Sequence, residues 1–326
     1  MKEREKSRVP QLGEMKNPIE IAFDPSNFKS EKERMEYLHR SLEGNRENAE
    51  RKAKFAFRDE SGADRGEILF EPFSGDIVEI RIKPWTNTDA AAEKPNEYIY
   101  ITDAEGKITE TCATRKEARD KGLRYMVAST LIFHGKDVLV QRRSAKKKID
   151  PSKRSASAHG VASEIMKPDG GRFKNADNVA AITAALEINE ELRHGEGEQP
   201  FKILFWCHGK ERDLFQYAKH QKLDDPDTIW MVPQALYTDD AYPLGSKKNK
   251  RTRAVFTGFI FSEYKPSITH DPGEVSETSW VRASEYASDP HVTEDMQTVT
   301  NSIFNSWMEN NGVEIAAKKL IHDTFG

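Results

Sequence analysis

Cysteine and long apolar segments are both scarce in this chain of 326 residues. The two cysteines, Cys112 and Cys207, are too few for a disulfide framework or a structural zinc site, and we interpret both as structural residues. No run approaches the roughly 18 apolar residues that a membrane-spanning helix needs. Residues 1–10 are charged and lack the apolar stretch of a signal peptide. We therefore expect a cytoplasmic protein with no membrane partner.

A large excess of charge of one sign is also missing. The chain has 50 Lys and Arg against 54 Asp and Glu, which gives a net charge of −4. Because no global field favours a polyanion, we expect no nucleic-acid partner. The apolar fraction of 37% and the charged fraction of 32% are typical of a globular protein with long polar connections. The composition does not distinguish a monomer from a homodimer.

The first part of the chain differs in pattern from the rest. A highly charged stretch from Ser30 to Phe57 predicts a helix, with Ser30 and Glu33 as a capping box. Two short strands are predicted around Gly75, and residues 86–95 are typical of a linker. We therefore predict a boundary near residue 92.

The remaining chain, residues 93–326, shows the pattern of a mixed β-sheet. Short apolar runs separated by turns predict several strands, and one hairpin is expected to turn at Gly135. One helix is predicted near 178–193, and further helices are predicted after Thr293. The fold class we predict is α/β or α+β, with a mixed sheet sandwiched by helices, an N-terminal extension and C-terminal helices.

The central helix carries an unusual group of carboxylates. At about 100° per residue, Glu187, Glu190 and Glu191 fall within one arc of the helix. Like charges at this spacing repel, and a divalent cation with a preference for hard oxygen ligands would reverse that repulsion. A solvated acidic face is the alternative interpretation of the same residues.

The sequence around these glutamates resembles the Nudix family, whose box reads G-x5-E-x7-R-E-U-x-E-E-x-G-U with U aliphatic. The segment Leu186–Leu192 (LEINEEL) matches R-E-U-x-E-E-x, with Leu186 in place of the arginine. The upstream glutamate position falls on Asn178, and the two box glycines fall on Arg172 and Arg193. The run QRRSAKK before the helix and GEVSETSW after it are similar to the isopentenyl-diphosphate-isomerase-like branch. The resemblance covers about residues 97–290.

The resemblance implies a Nudix-like fold, a magnesium or manganese cofactor and a small-molecule diphosphate substrate. The implied metal ligands and catalytic groups are Glu187, Glu190 and Glu191, with Glu274 as a base or further ligand. The implied substrate-binding residues are Gln141, Arg142, Arg143 and Gly160. Glu164 is a candidate for the missing upstream glutamate.

Several other polar residues have two interpretations. His159 either faces the site or is structural. Two basic runs are interpreted either as phosphate contacts or as solvated loops. The first run is Lys146, Lys147 and Lys148, and neither interpretation is favoured for it. A solvated loop is favoured for the second run, which is Lys247, Lys248, Lys250, Arg251 and Arg253.

Three functions follow from these patterns. The first is a metal-dependent hydrolase that cleaves a phosphoanhydride bond. The second is an isopentenyl-diphosphate isomerase, a family that uses a cysteine next to an S-H-P motif. The equivalent segment here, SASAHGVASE, contains no cysteine and no S-H-P motif, which disfavours an isomerase. The third is a catalytically silent Nudix-fold binding module, which Leu186 and Asn178 in the box would favour. Metal binding and turnover of a diphosphate compound would separate the first from the third.

Overall fold

A computed structural model describes most of the chain between residues 28 and 296. The described residues are 28–52, 54–59, 62–70, 77–83, 97–147, 150–167, 169–195, 199–206, 211–244, 247–287, 289–293 and 296. The helices among them are α1 (Glu31–Lys52), α2 (Arg115–Lys121), α3 (Ala176–Glu191), α4 (Glu211–Gln221) and α5 (Ala283–Ala287). The strands are β1 (Lys54–Arg58), β2 (Asp64–Phe70), β3 (Ile77–Ile82), β4 (Tyr98–Thr102), β5 (Ile108–Thr114), β6 (Tyr125–His134), β7 (Asp137–Arg143), β8 (Arg154–Ser155), β9 (Ala158–Val161), β10 (Leu192–His194), β11 (Lys202–Phe205), β12 (Asp225–Leu244), β13 (Lys247–Phe261), β14 (Ile268–His270) and β15 (Val275–Arg282).

One mixed sheet of 13 strands organises the described part of the chain. Its main path runs β1-β2-β3-β11-β12-β13-β6-β4-β5, while β9 and β7 also pair with β6, and β15 and β8 pair with β7. The β11–β12 and β13–β6 pairs are parallel, whereas the other pairs in the sheet are antiparallel. Strands β10 and β14 form a separate pair. The predicted α+β class with a mixed sheet is confirmed.

Strand β6 lies at the centre because its sequence suits burial on both faces. The run YMVASTLIF has no alternation of polar and apolar residues, and every residue of β6 except His134 is buried. β13 pairs with it in parallel from Arg251 with Tyr125 to Phe259 with Phe133. β7 returns from it through the predicted tight turn, where Gly135 has a φ of 56°.

Helix α3 is buried around most of its circumference. It starts at Asn175, whose side chain accepts a hydrogen bond from the Asn178 N–H at 2.9 Å. Ile182 and Ile188 are fully buried in the main core, and each contributes about 1.5–3 kcal/mol by leaving water. Ala180, Thr183 and Ala184 on the glutamate side are buried as well. The backbone at Leu192 is extended, and the chain continues there into β10.

The N-terminal strands belong to the same sheet and the same core as α3. β3 pairs with β11, with Ile80 opposite Ile203. Phe57, Ile68 and Ile80 are fully buried in the cluster that contains Ile182. The division into residues 1–92 and 93–326 stays a prediction about independent folding, and this shared core favours the opposite outcome.

One expectation about local structure needs correction, and three others lie outside the described residues. The predicted helix from Ser30 ends at Lys52, and Lys54–Arg58 forms β1 because Phe57 enters the core. At its start the Ser30 hydroxyl accepts a hydrogen bond from the Glu33 N–H at 3.2 Å, which is one half of the predicted capping box, and the Glu33 carboxylate accepts from the Lys29 N–H at 2.9 Å. The linker at 86–95, the helices after Thr293 and Cys207 lie outside the described residues.

The helices among the described residues include none that is long and apolar enough to cross a membrane.

Candidate metal centre

Gly160 on β9 makes room for the carboxylate of Glu187. A Cβ atom built on Gly160 would lie 1.7 Å from Glu187 Oε1 and 1.8 Å from its carboxyl carbon. No side chain larger than hydrogen can therefore stand at residue 160 while Glu187 keeps this position. The structure thus brings together two residues that the sequence analysis selected for different reasons.

Glu191 is buried and held by two donors. Gln141 Nε2 donates to Glu191 Oε2 at 2.9 Å, and the His159 backbone N–H donates to the same oxygen at 3.2 Å. Burial raises the pKa of Glu191 to about 7, against the lowering effect of these two hydrogen bonds. The charge of Glu274 raises this pKa further, and the charge of Arg143 lowers it. Glu191 therefore changes its protonation state near neutral pH.

Glu187 shares this unfavourable electrostatic environment. Burial and the charges of Glu190 and Glu191 raise the pKa of Glu187 well above its ordinary value. Arg115 at the start of α2 opposes this shift, while Glu97 adds to it. Arg115 and Glu97 are themselves an ion pair. Glu191 is buried, and Glu187 and Glu190 are half-buried, so the negative charge of these three glutamates is largely shielded from solvent and only partly balanced.

Glu190 has a partner from the N-terminal strands. Arg65 on β2 donates from Nη2 to Glu190 Oε1 at 3.0 Å, and the Arg65 side chain is only 12% exposed. Asp59 lies 3.7 Å from Arg65 Nε. The sequence analysis missed Arg65 because β2 and α3 are far apart in the chain.

Strand alternation separates the two arginines of β7. Gln141 and Arg143 face the glutamates, as the effects of both residues on Glu191 show. Arg142 points to the other face, where its Nε donates to Glu277 Oε2 at 3.1 Å. Lys147 forms an ion pair with Glu274. Arg143, Lys147 and Glu274 therefore lie on the glutamate side, and Arg142 does not.

Glu164 lies in a different group. Its carboxylate pairs with Arg172 at 3.2 Å, and the Arg172 guanidinium also contacts Cys112 Sγ at 2.8 Å. No contact that the structure describes joins Glu164 to the glutamates of α3. The assignment of Glu164 as the upstream glutamate stays a prediction without a supporting contact.

Two arginines of the second basic run, Arg251 and Arg253, are buried. The prediction of a solvated loop is therefore wrong for these two residues. Arg251 and Arg253 lie within β13, where they pair with β6 and are buried. Arg251 Nε donates to the Tyr125 hydroxyl at 3.3 Å, and Arg253 Nη1 donates to Ser129 Oγ at 3.4 Å. His159 Nδ1 also lies 2.8 Å from Ser129 Oγ, so its ring is part of this structural group.

The three glutamate carboxylates of α3 are chemically suited to binding a hard divalent cation. Glu187, Glu190 and Glu191 offer carboxylate oxygens, which magnesium and manganese prefer, and their buried charge is relieved by a cation. Within the described part of the chain, however, no three acidic, His or Cys side chains already converge as a metal site. Glu190 is turned to Arg65, and Glu191 to Gln141 and His159. A bound metal would share these carboxylates with the donors that already hold them.

Comparison with known proteins gives structural matches only. No family model and no curated protein matches the chain. The protein DR0079 from Deinococcus radiodurans is 14% identical with a TM-score of 0.37, and the match covers 63% of this chain and 98% of that one. A MutT protein from Methanosarcina mazei is 16% identical with a TM-score of 0.32, covering 58% and 96%. A MutT Nudix hydrolase from Burkholderia pseudomallei is 10% identical with a TM-score of 0.31, covering 55% and 96%.

The chain is similar in structure to Nudix hydrolases. The isomerase-like branch stays a prediction. Because all three TM-scores lie below 0.5, we base the proposed function on the geometry of the glutamate site.

Proposed function

We propose that this chain is a metal-dependent hydrolase of the Nudix type that cleaves a phosphoanhydride bond in a small diphosphate compound. One observation carries the proposal: Glu191 of α3 is buried, the carboxylate of Glu187 one turn before it packs against Gly160, and the pKa values of both are raised. Buried acidic groups with perturbed pKa values are typical of sites that hold a cation or move a proton. The expected cytoplasmic location and a homodimer stay predictions.

The residues around the glutamates suit this chemistry. A magnesium or manganese ion held by Glu187, Glu190 and Glu191 would supply positive charge to phosphoryl oxygens and acidify an attacking water. Arg143 and Lys147 place cationic groups on the same side, where they would bind diphosphate oxygens.

A general base is available beside these cations. In the metal-free protein burial raises the pKa of Glu191 to about 7, and Glu191 would accept a proton only where Glu187 and Glu190 hold the cation without it. Gln141 holds the Glu191 carboxylate in place. Glu274 is the second candidate, because it is close enough to Glu191 to influence its pKa.

The test is turnover of a panel of nucleoside-diphosphate-linked and other diphosphate compounds with Mg²⁺ or Mn²⁺. Glu191→Gln should reduce kcat by at least about 100-fold, because it removes a ligand or a base while keeping the side-chain size. Glu67→Gln is a matched control, since Glu67 pairs with Lys54 on the N-terminal hairpin. Equal kcat values for wild type and Glu191→Gln would contradict the mechanism.

A binding module is the second candidate function, and one observation favours it. Among the described residues no three acidic, His or Cys groups are pre-arranged for a metal, and Arg65 already neutralises part of the charge of Glu190. Tight binding of a diphosphate compound without turnover under any metal would favour this alternative.

A further inference from the structure

The glutamate helix contains no cation of its own. Its sequence, ADNVAAITAALEINEE, has no Lys, Arg or His, and its last turn carries two adjacent glutamates. Like charges one turn apart destabilise a helix, and the cost increases when they are buried. A counter-charge for these glutamates must therefore come from another element.

Arg65 on β2 is placed to supply that counter-charge. Its Nη2 donates to Glu190 Oε1 at 3.0 Å, and its side chain is 12% exposed against 32% for Glu190. A hydrogen bond between two charged groups that are mostly removed from water is stronger and more directional than a surface ion pair. Arg65 can therefore fix the orientation of the Glu190 carboxylate as well as balance its charge.

The backbone holds Arg65 at this place. Arg58, at the end of β1, exchanges two backbone hydrogen bonds with Met166, at 3.0 and 3.1 Å. Met166 lies in the loop that follows β9, the strand on which Gly160 makes room for Glu187. The β1–β2 hairpin is thus attached both to the loop beyond the glycine strand and to the glutamate helix.

We propose that Arg65 is a positioning residue of the glutamate site. The N-terminal β1–β2 hairpin, which carries Arg65, therefore contributes to that site. This inference rests on the proposed function, in which Glu190 contributes to holding a divalent cation. Arg65 acts through Glu190: its hydrogen bond at 3.0 Å holds the carboxylate in one orientation, and a cation would share that carboxylate with Arg65. The residue that positions Glu190 thus lies 125 residues before it in the chain.

The experiment measures Mn²⁺ affinity directly, together with kcat and KM. Arg65→Gln should weaken Mn²⁺ binding by about tenfold, the usual effect of losing a residue that orients a metal ligand. kcat should fall while KM for the diphosphate compound changes little. Arg65→Lys, which keeps the charge but loses the planar fork, should recover only part of the affinity. Lys54→Gln is the matched control, because it removes another ion pair of the same hairpin.

The sign of the Mn²⁺ effect separates positioning from simple charge balance. If Arg65 only neutralised Glu190, its removal would leave a more negative site, and Mn²⁺ would bind more tightly. Tighter or unchanged binding in Arg65→Gln therefore overturns the proposal. If wild type itself binds no Mn²⁺ and turns over no diphosphate compound, the proposed function has failed first.

A second variant tests the role of Arg65 in another way. Leu186 precedes Glu190 by one helical turn, so an arginine there can reach the same carboxylate. Arg65→Gln combined with Leu186→Arg should recover most of the Mn²⁺ affinity that Arg65→Gln loses. No recovery in a double variant with the thermal stability of Arg65→Gln would contradict the proposal.

Discussion

Replacement of Gly160 by alanine tests the close packing of the glycine strand on the glutamate helix. The added Cβ would lie 1.7 Å from Glu187 Oε1, far inside van der Waals contact, so either Glu187 or β9 must move. Because the contacted atoms are all at the end of the Glu187 side chain, that side chain rotates, and the cost lies near the lower end of the range of about 1–3 kcal/mol typical of overpacking. We expect the free energy of unfolding to fall by about that amount, as measured by urea titration.

The same substitution should damage metal binding more than its stability cost suggests. Because Glu187 must rotate away from β9, the carboxylate leaves its position beside Glu190 and Glu191. Mn²⁺ affinity should fall by about tenfold or more, as measured on the folded protein.

Gly44→Ala is the control for Gly160→Ala. A Cβ at Gly44 meets no described atom within 4 Å, and Gly44 lies within α1. Alanine there should stabilise the protein by about 0.5–1 kcal/mol, through helix propensity. If Gly160→Ala kept both the stability and the Mn²⁺ affinity of wild type, the packing of Glu187 against β9 would be refuted.

Three further predictions concern pH, the N-terminal strands and the β7 arginines. Because the folded-state pKa values of Glu187 and Glu191 are raised, the metal-free protein should be most stable with respect to these groups below about pH 4.5. The Glu191 contribution should be lost as pH rises through about 7; urea titrations in EDTA at pH 5 and pH 8 measure this, and Mn²⁺ should reduce the loss. A fragment that begins at residue 95 should be insoluble or molten by circular dichroism, since among the described residues it loses six fully buried apolar side chains worth about 1.5–3 kcal/mol each; a cooperative melt would contradict this. Arg143→Ala should raise KM for the diphosphate compound several-fold and Arg142→Ala should not; equal effects in steady-state kinetics would show that strand alternation does not select the binding residue.

The part of the site that lies on one helix could be predicted from the sequence. Glu187, Glu190 and Glu191 share a face because the helical period dictates it, and the helix exists because its other residues form a core face. The same reasoning about strand period, applied to QRR, would have separated Arg142 from Gln141 and Arg143.

The part of the site that depends on sheet pairing could not be predicted in this way. Arg65 reaches Glu190 only because β3 pairs with β11, and local pattern does not specify which distant strands pair. The sequence pattern predicts a helix through Lys54–Arg58, where the structure has β1, because the charged residues there continue the helical composition. The burial of β1 in the core, through Phe57, is a tertiary effect that overrides local preference.

The pairing of β3 with β11 also sets an order of events during synthesis of the chain. Arg65 leaves the ribosome 125 residues before Glu190, a delay of about 6–25 s at 5–20 residues per second. Over that interval β3 has no partner on its β11 side, and the apolar residues of β1–β3 have no helix α3 to cover them. Until the second half of the chain is synthesised, the nascent N-terminal segment therefore exposes an unpaired, aggregation-prone strand edge.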